Sequence, residues 1–174
     1  MADTKKKICM LGAFAVGKSS LVRRFVHRMF SERYETTVGV RIDKKDVTVD
    51  GREVSLLIWD VHGEDEVQAV RESYLRGSSG YLLVLDGTRR ATLDTAKRIH
   101  DRLSATLGDV PFVALVNKAD LADEWELTQD DIGALRREGW PVTQTSAGTG
   151  AGVQEAFEAL ARKMVERGER QDAR

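Results

Sequence analysis

The sequence predicts an α/β domain: a mostly parallel sheet of about six strands, with one antiparallel edge strand and helices on both faces. Three observations lead there. Strand-like and helix-like segments alternate along the chain, the pattern of βαβ units. The short, continuously apolar runs "YLLVLD" and "FVALVN" have the character of parallel strands buried on both faces. Asp50-Gly51, between "VRIDKKDVTV" and "REVSLLIWD", is a two-residue hairpin signal that supplies the antiparallel part.

The first strand, "KKICMLG", runs into a glycine loop, and "KSSLVRRFVHRMF" behind it places Leu21, Val22, Phe25 and Met29 at helical spacing. Pro111 and Pro141 each stand just before a strand, where a missing N–H costs least. Helical patterns fall near 68–75, 91–107, 128–138 and 152–167. In the last of these Val153, Ala156, Phe157, Leu160, Ala161 and Met164 form one apolar face. Residues 168–174 read as a disordered tail. Without linkers or repeats, the 174 residues are expected to form one domain, 1–174.

Lys plus Arg (27) nearly cancels Asp plus Glu (28), so no global field draws in nucleic acid or an anionic membrane. The small basic clusters Lys5-Lys6-Lys7, Arg23-Arg24, Arg89-Arg90 and Arg136-Arg137 read as solvated faces and termini. A single cysteine, Cys9, sits inside the first apolar run; it forms no internal disulfide and reads as a buried strand residue. The apolar runs are too short to span a bilayer, and the basic start is not followed by a signal-like segment. Ala2 does not accept a myristoyl group, and the tail "ERQDAR" has no cysteine to prenylate. The expectation is a cytoplasmic chain with no direct membrane anchor and no nucleic-acid partner.

Gly12-x-x-x-x-Gly17-Lys18-Ser19 lies between a strand and a helix, where a phosphate-binding loop belongs. Its glycines allow backbone N–H groups to converge into an anion nest at a helix N-terminus. Lys18 supplies a point charge for terminal phosphates, and the Ser19 hydroxyl can bind Mg²⁺. In "WDVHGED", Asp60 ends a strand where a carboxylate can hold Mg²⁺ through water, and Gly63 lets an N–H approach a terminal phosphate. "NKAD", residues 117–120, ends the strand "FVALV", and its Asp120 can accept from both the N1–H and the amine of guanine. Adenine lacks that pair of donors, so the wrong base leaves buried groups unpaired. "TSA", residues 145–147, offers the Ala147 N–H to the guanine carbonyl. All four segments fall at the carboxyl ends of strands, where open α/β sheets hold ligands.

In this order and spacing the motifs resemble the Ras superfamily of small GTPases, and most its Rab-like branch, over about residues 5–167. The resemblance implies a P-loop NTPase domain, a monomeric switch that binds GTP and GDP with Mg²⁺ and hydrolyses GTP. It implies effector, activator and exchange-factor proteins that read segments 30–41 and 60–76. Carried over position by position, Ala13, Phe14, Ala15, Val16, Gly17, Lys18, Ser19 and Ser20 would line the phosphates. Phe30 would pack edge-on against guanine, and Tyr34 would close over the phosphates. Thr37 would ligate Mg²⁺ beside Ser19 and the water-linked Asp60; Thr36 is the neighbouring alternative, and the "TVGV" that follows favours Thr37. Asn117, Lys118, Asp120, Ser146 and Ala147 would form the base site. Lys18, Thr37, Gly63 and Glu64 would carry the catalytic roles.

Several positions depart from the family pattern. Glu64 stands where the family places glutamine; an ionised carboxylate accepts but does not donate, and it adds charge beside a polyanion. Slow hydrolysis is the expectation, with a swing of Glu64 into solvent as the alternative. Phe14 replaces a small residue where an activator's arginine would pass. It either obstructs that arginine or merely covers the phosphates or packs on the second switch. His62 replaces a small residue before Gly63, and Gly148 follows Ala147 where relatives carry lysine. His27 and His100 read as surface residues, and Trp59 as a packing residue. Besides the slow switch, a second reading remains open: a hydrolysis-deficient module that holds GTP as a constitutive interaction surface. A small-molecule kinase would leave "NKAD" and "TSA" unexplained.

Overall fold

A computed structural model of the chain describes residues 5–26, 33–35, 40–61 and 72–173. One sheet holds β1 (Lys5–Gly12), β2 (Arg33–Glu35), β3 (Val40–Val49), β4 (Arg52–Val61), β5 (Gly80–Asp86), β6 (Phe112–Asn117) and β7 (Val142–Gln144), in the order β2-β3-β4-β1-β5-β6-β7. β1 runs parallel to β4 and β5, β5 to β6, and β6 to β7, while β3 runs against both of its neighbours. Six strands are those the sequence predicts. The seventh, β2, is three residues long, too short to carry a periodic signal, and lies outside β3. Val49 pairs with Arg52 across Asp50 (φ 50°) and Gly51 (φ 81°), the two left-handed residues of a type I′ hairpin.

The apolar runs serve two cores at once. On β1, Ile8 and Met10 face one core while Cys9 and Leu11 face the other. On β6, Val113 and Leu115 alternate with Ala114 and Val116 in the same way. The first core is closed by α1 (Lys18–Val26) and the apolar stripe of α5 (Val153–Asp172), the second by α3 (Ala91–Leu107) and α4 (Gln129–Arg137); α2 (Glu72–Leu75) is a single turn. The Phe25 ring of α1 stacks on the Phe157 ring of α5, with centroids 3.9 Å apart. α5 comes so close to β5 that a Cβ on Gly80 would lie 2.9 Å from Met164 Sδ and 3.0 Å from Leu160 Cδ1. α4 starts with a reciprocal capping box, Thr128 accepting from the Asp131 N–H and Asp131 from the Thr128 N–H.

Two expectations need correction. The segment read as a tail from residue 168 continues α5 as far as Asp172. Once the stripe Val153–Met164 is docked, each further residue adds a hydrogen bond to a formed nucleus, and Glu169 pairs with Arg52 of the hairpin at 2.6 Å. His100 is half-buried: its Nδ1 lies 2.8 Å from the Tyr81 hydroxyl, and its ring packs against Phe112 and Trp140. Burial pushes its pKa down. Cys9 is buried as expected, and burial pushes its thiol up, away from reactivity. Trp59 packs against the second core under the Lys7 ammonium, 3.8 Å from the ring centre. Among the described residues no helix is long and apolar enough to cross a membrane.

Phe157 is fully buried at the contact between α1 and α5. Phe157→Ala is expected to destabilise the fold by about 3–5 kcal/mol. Urea unfolding at fixed nucleotide concentration would show this as a lower midpoint at unchanged slope.

Candidate functional site

The loop between β1 and α1 is shaped by what presses on it. A Cβ on Gly12 would lie 2.4 Å from Val84 O, and one on Gly17 (φ 107°) would lie 2.3 Å from Asn117 Nδ2. Both positions therefore demand glycine, one because β5 is adjacent and the other because the end of β6 is. Between them Ala15 is left-handed, with φ 60°. Lys18 is buried and its ammonium donates to Gly12 O at 3.0 Å and Ala13 O at 3.2 Å. Burial lowers its pKa, opposed by the charge of Asp60.

At the first turn of α1, Ser19 Oγ donates to Asp60 Oδ2 at 2.5 Å. Asp60 is buried at the end of β4, and its Oδ1 has no hydrogen-bond partner among the described residues. A buried carboxylate oxygen without a donor is costly, and a hydroxyl beside it completes a hard oxygen set. The pair fits Mg²⁺, which Ser19 and Asp60 would help to hold.

The ends of β6 and β7 bring the base motifs to the same loop. Asn117 uses both ends of its amide: Nδ2 donates to Val16 O at 3.0 Å, and Oδ1 accepts from Thr145 Oγ1 at 3.1 Å. Lys118 is held left-handed (φ 73°), and its ammonium donates to Ala15 O at 3.4 Å. Ser146 Oγ donates to Asp120 Oδ1 at 2.8 Å. Ala147 and Gly148 turn their carbonyls to Arg24, whose Nε donates to Ala147 O at 2.8 Å and whose Nη2 donates to Gly148 O. Arg24 thus steadies the turn around Gly148. Residues 12–20, 60, 117–120 and 145–147 all gather at the carboxyl ends of β1, β4, β6 and β7.

The basic pairs lie at the surface, apart from the half-buried Arg24, but several of them hold specific partners. Arg24 is committed to the base turn, and Arg90 pairs with Asp131 through both guanidinium nitrogens, at 2.8 and 2.7 Å. Arg89 donates through Nε to Asp86 Oδ2 at 3.0 Å and through Nη2 to Phe14 O at 2.5 Å. Asp86, fully buried at the end of β5, also accepts from Lys118 Nζ at 2.7 Å and from the Thr88 N–H and hydroxyl. Burial alone would raise its pKa; the bonds from Lys118, Thr88 and Arg89 prevail and hold it at about 2. The one sequence signal for Asp86 was its place at the carboxyl end of "YLLVLD"; Arg24 and Arg89 carried none for the carbonyls they hold, which lie 123 and 124 residues from Arg24 and 75 from Arg89.

The Phe14 side chain is 66% exposed on this loop. Phe30, Thr37, Gly63 and Glu64, with His62, lie outside the described residues. Tyr34 pairs with Ile42 as a backbone position of β2, and its side chain likewise lies outside them.

A family model described as the Ras family matches residues 7–166. The chain is also 36% identical over 153 residues to the Ras-related protein Rab-4 of Dictyostelium discoideum, an alignment covering 87% of this chain and 75% of that protein.

The depressed pKa of Asp86 has a definite sign. Its contribution to stability is present in full above the unfolded carboxyl pKa of about 4 and is lost as pH falls from there towards about 2. Asp86→Asn should cost about 2 kcal/mol at pH 7, below the usual figure for a broken buried pair because both cations reach solvent. Urea titrations of both proteins between pH 7 and pH 3.5 should show the difference steady to about pH 4.5 and then narrowing.

Proposed function

The chain belongs to the Ras family as a Rab-like small GTPase, and we propose that the residues gathered at the carboxyl ends of β1, β4, β6 and β7 are its GTP and GDP site. The observation that carries this reading is the Asn117 amide bonded to Val16 O. It joins the base motif to the phosphate loop, so two segments a hundred residues apart make one cleft.

In that cleft the N–H groups of residues 13–20 cradle the phosphates, and the Lys18 ammonium offsets their terminal charge. Mg²⁺, held by Ser19, Thr37 and, through water, Asp60, would neutralise charge between the β- and γ-phosphates. Asp120, already oriented by Ser146, accepts the two guanine donors, and the Ala147 N–H meets the guanine carbonyl. Phe30 would pack edge-on against guanine, and Tyr34 would close over the phosphates. Gly63 would present its N–H to the terminal phosphate, and Glu64 beside it would offer the attacking water no proton to donate. Hydrolysis is therefore slow. Effector, activator and exchange-factor proteins read segments 30–41 and 60–76 of a cytoplasmic monomer.

The exposure of Phe14 supports the second reading to the extent that a ring standing off the phosphate loop obstructs an incoming arginine. The two readings separate in single-turnover hydrolysis with excess Mg²⁺. Glu64→Gln is expected to raise the rate by roughly 10²–10³, the usual worth of one aimed donor to a transition state. An ordinary native rate, unmoved by Glu64→Gln, would remove Glu64 as the impediment. A native rate near zero that neither Glu64→Gln nor Phe14→Gly restores would favour the constitutive module. For the base, Asp120→Asn puts a donor where guanine also donates. It should weaken GDP binding by at least about a hundredfold, read by competition with a fluorescent GDP analogue.

A further inference from the structure

Three successive carbonyls of the phosphate loop are each held by a side chain from the sheet's carboxyl edge, one from the segment after β5 and two from the end of β6. Phe14 O accepts from Arg89, Ala15 O from Lys118, and Val16 O from Asn117, at 2.5, 3.4 and 3.0 Å. A trans peptide carries its C=O and the next N–H on opposite sides. Pinning the carbonyls of 14, 15 and 16 outward therefore aims the N–H groups of 15, 16 and 17 the other way, into the anion nest. Asn117 and Lys118 belong to the base motif. Arg89 belongs to no motif, yet it holds the first member of the row.

Resting on the guanine-nucleotide reading, we propose that Arg89 is a positioning residue for the phosphates: it fixes the peptide between Phe14 and Ala15 and thereby slows nucleotide release. The guanidinium suits this because its planar fork reaches two acceptors at fixed geometry, Asp86 through Nε and Phe14 O through Nη2. Asp86 is the anchor. It is fully buried, and it binds Arg89 and Lys118 through the same oxygen, Oδ2, so two of the three carbonyl braces share one support. Ala15, at φ 60°, is the residue most in need of such support, since an L side chain in that region is strained. The Arg89 side chain is itself 44% exposed, so this brace stands at the surface while its anchor does not.

The test is the rate at which a fluorescent GDP analogue leaves the full chain in Mg²⁺ when chased with unlabelled GDP. Arg89→Ala should release it roughly tenfold faster or more, the worth of one charge-assisted hydrogen bond. Arg89→Lys, with one ammonium for two acceptors, should release it nearly as fast. Thr88→Val is the control for a merely structural role, because the Thr88 hydroxyl bonds Asp86 at 2.7 Å and touches no loop carbonyl. It should lower the melting temperature as Arg89→Ala does but leave the release rate within about twofold of native. Phosphorus NMR of bound GDP should show its phosphate resonances displaced in Arg89→Ala and unmoved in Thr88→Val. Native release from Arg89→Ala, or equal acceleration in Thr88→Val, would overturn the proposal. Failure of the native chain to hold GDP at all would instead overturn the guanine-nucleotide reading, and this proposal with it.

Discussion

β1, β5 and β6 send apolar side chains to both faces of the sheet, so along most of their length no polar side chain can be placed without burying it unpaired. Polar chemistry is left with the strand ends. At the carboxyl ends Gly12, Asp86 and Asn117 follow runs of buried aliphatic residues, and each marks the point where the sheet stops and the site begins. The candidate site is thus a consequence of how the core is made. A strand buried on both faces delivers a rigid backbone to a shared edge, and the loops leaving that edge inherit its precision.

What such an edge cannot do alone is hold a loop whose backbone is unfavourable. Ala15 and Lys118 both sit at positive φ, and Gly17 has no room for a side chain against Asn117. Strain of this kind persists only where the surroundings over-determine it. Here they do so through hydrogen bonds rather than apolar contact: Asn117 to Val16, Lys118 to Ala15, and Trp125 Nε1 to Lys118 O at 2.8 Å. The buried Asp86 carboxylate balances the charge that these braces bring in. Without Lys118 and Arg89 it would be an uncompensated buried anion; without Asp86 they would be two cations converging on one loop.

The same economy explains how the chain tolerates Phe14 and Gly148. The loop is held by its carbonyls, so the Phe14 side chain stands outside the bonding scheme and its ring is exposed without disturbing the backbone. Gly148 itself has no side chain; Ser146 and Thr149 brace the turn from within, and Arg24 reaches across from α1 to take the carbonyls of Gly148 and Ala147. A Cβ there would touch Asp120 Oδ2 at 3.4 Å, an ordinary contact, so space alone does not demand glycine.

Much of this was legible in the sequence because it rests on local chemistry. The apolar runs, the Asp50-Gly51 turn and the stripe of α5 each express a backbone period or a turn geometry within about a dozen residues. The loop from Gly12 to Ser19, Asp60, "NKAD" and "TSA" were visible because ligand chemistry requires those residue types at strand ends. Other features were not visible in that way. β2 is too short for a period, and α5 runs past its apolar stripe on helix propagation and an ion pair with the hairpin. His100 reads as a lone histidine until Tyr81, Phe112 and Trp140 are folded around it. Arg24, Asp86 and Arg89 read as surface charge and a strand end, because the carbonyls that the two arginines hold lie far off in the chain, and even the Asp86–Arg89 pair, three residues apart, forms only in the turn after β5. Sequence alone determined six of the seven strands, the apolar stripe of α5 and the residue types of the candidate site, all of which follow from local geometry and chemistry. Which arginine holds which carbonyl was decided by the tertiary structure, because those bonds span up to 124 residues and exist only once the sheet has brought its edges together.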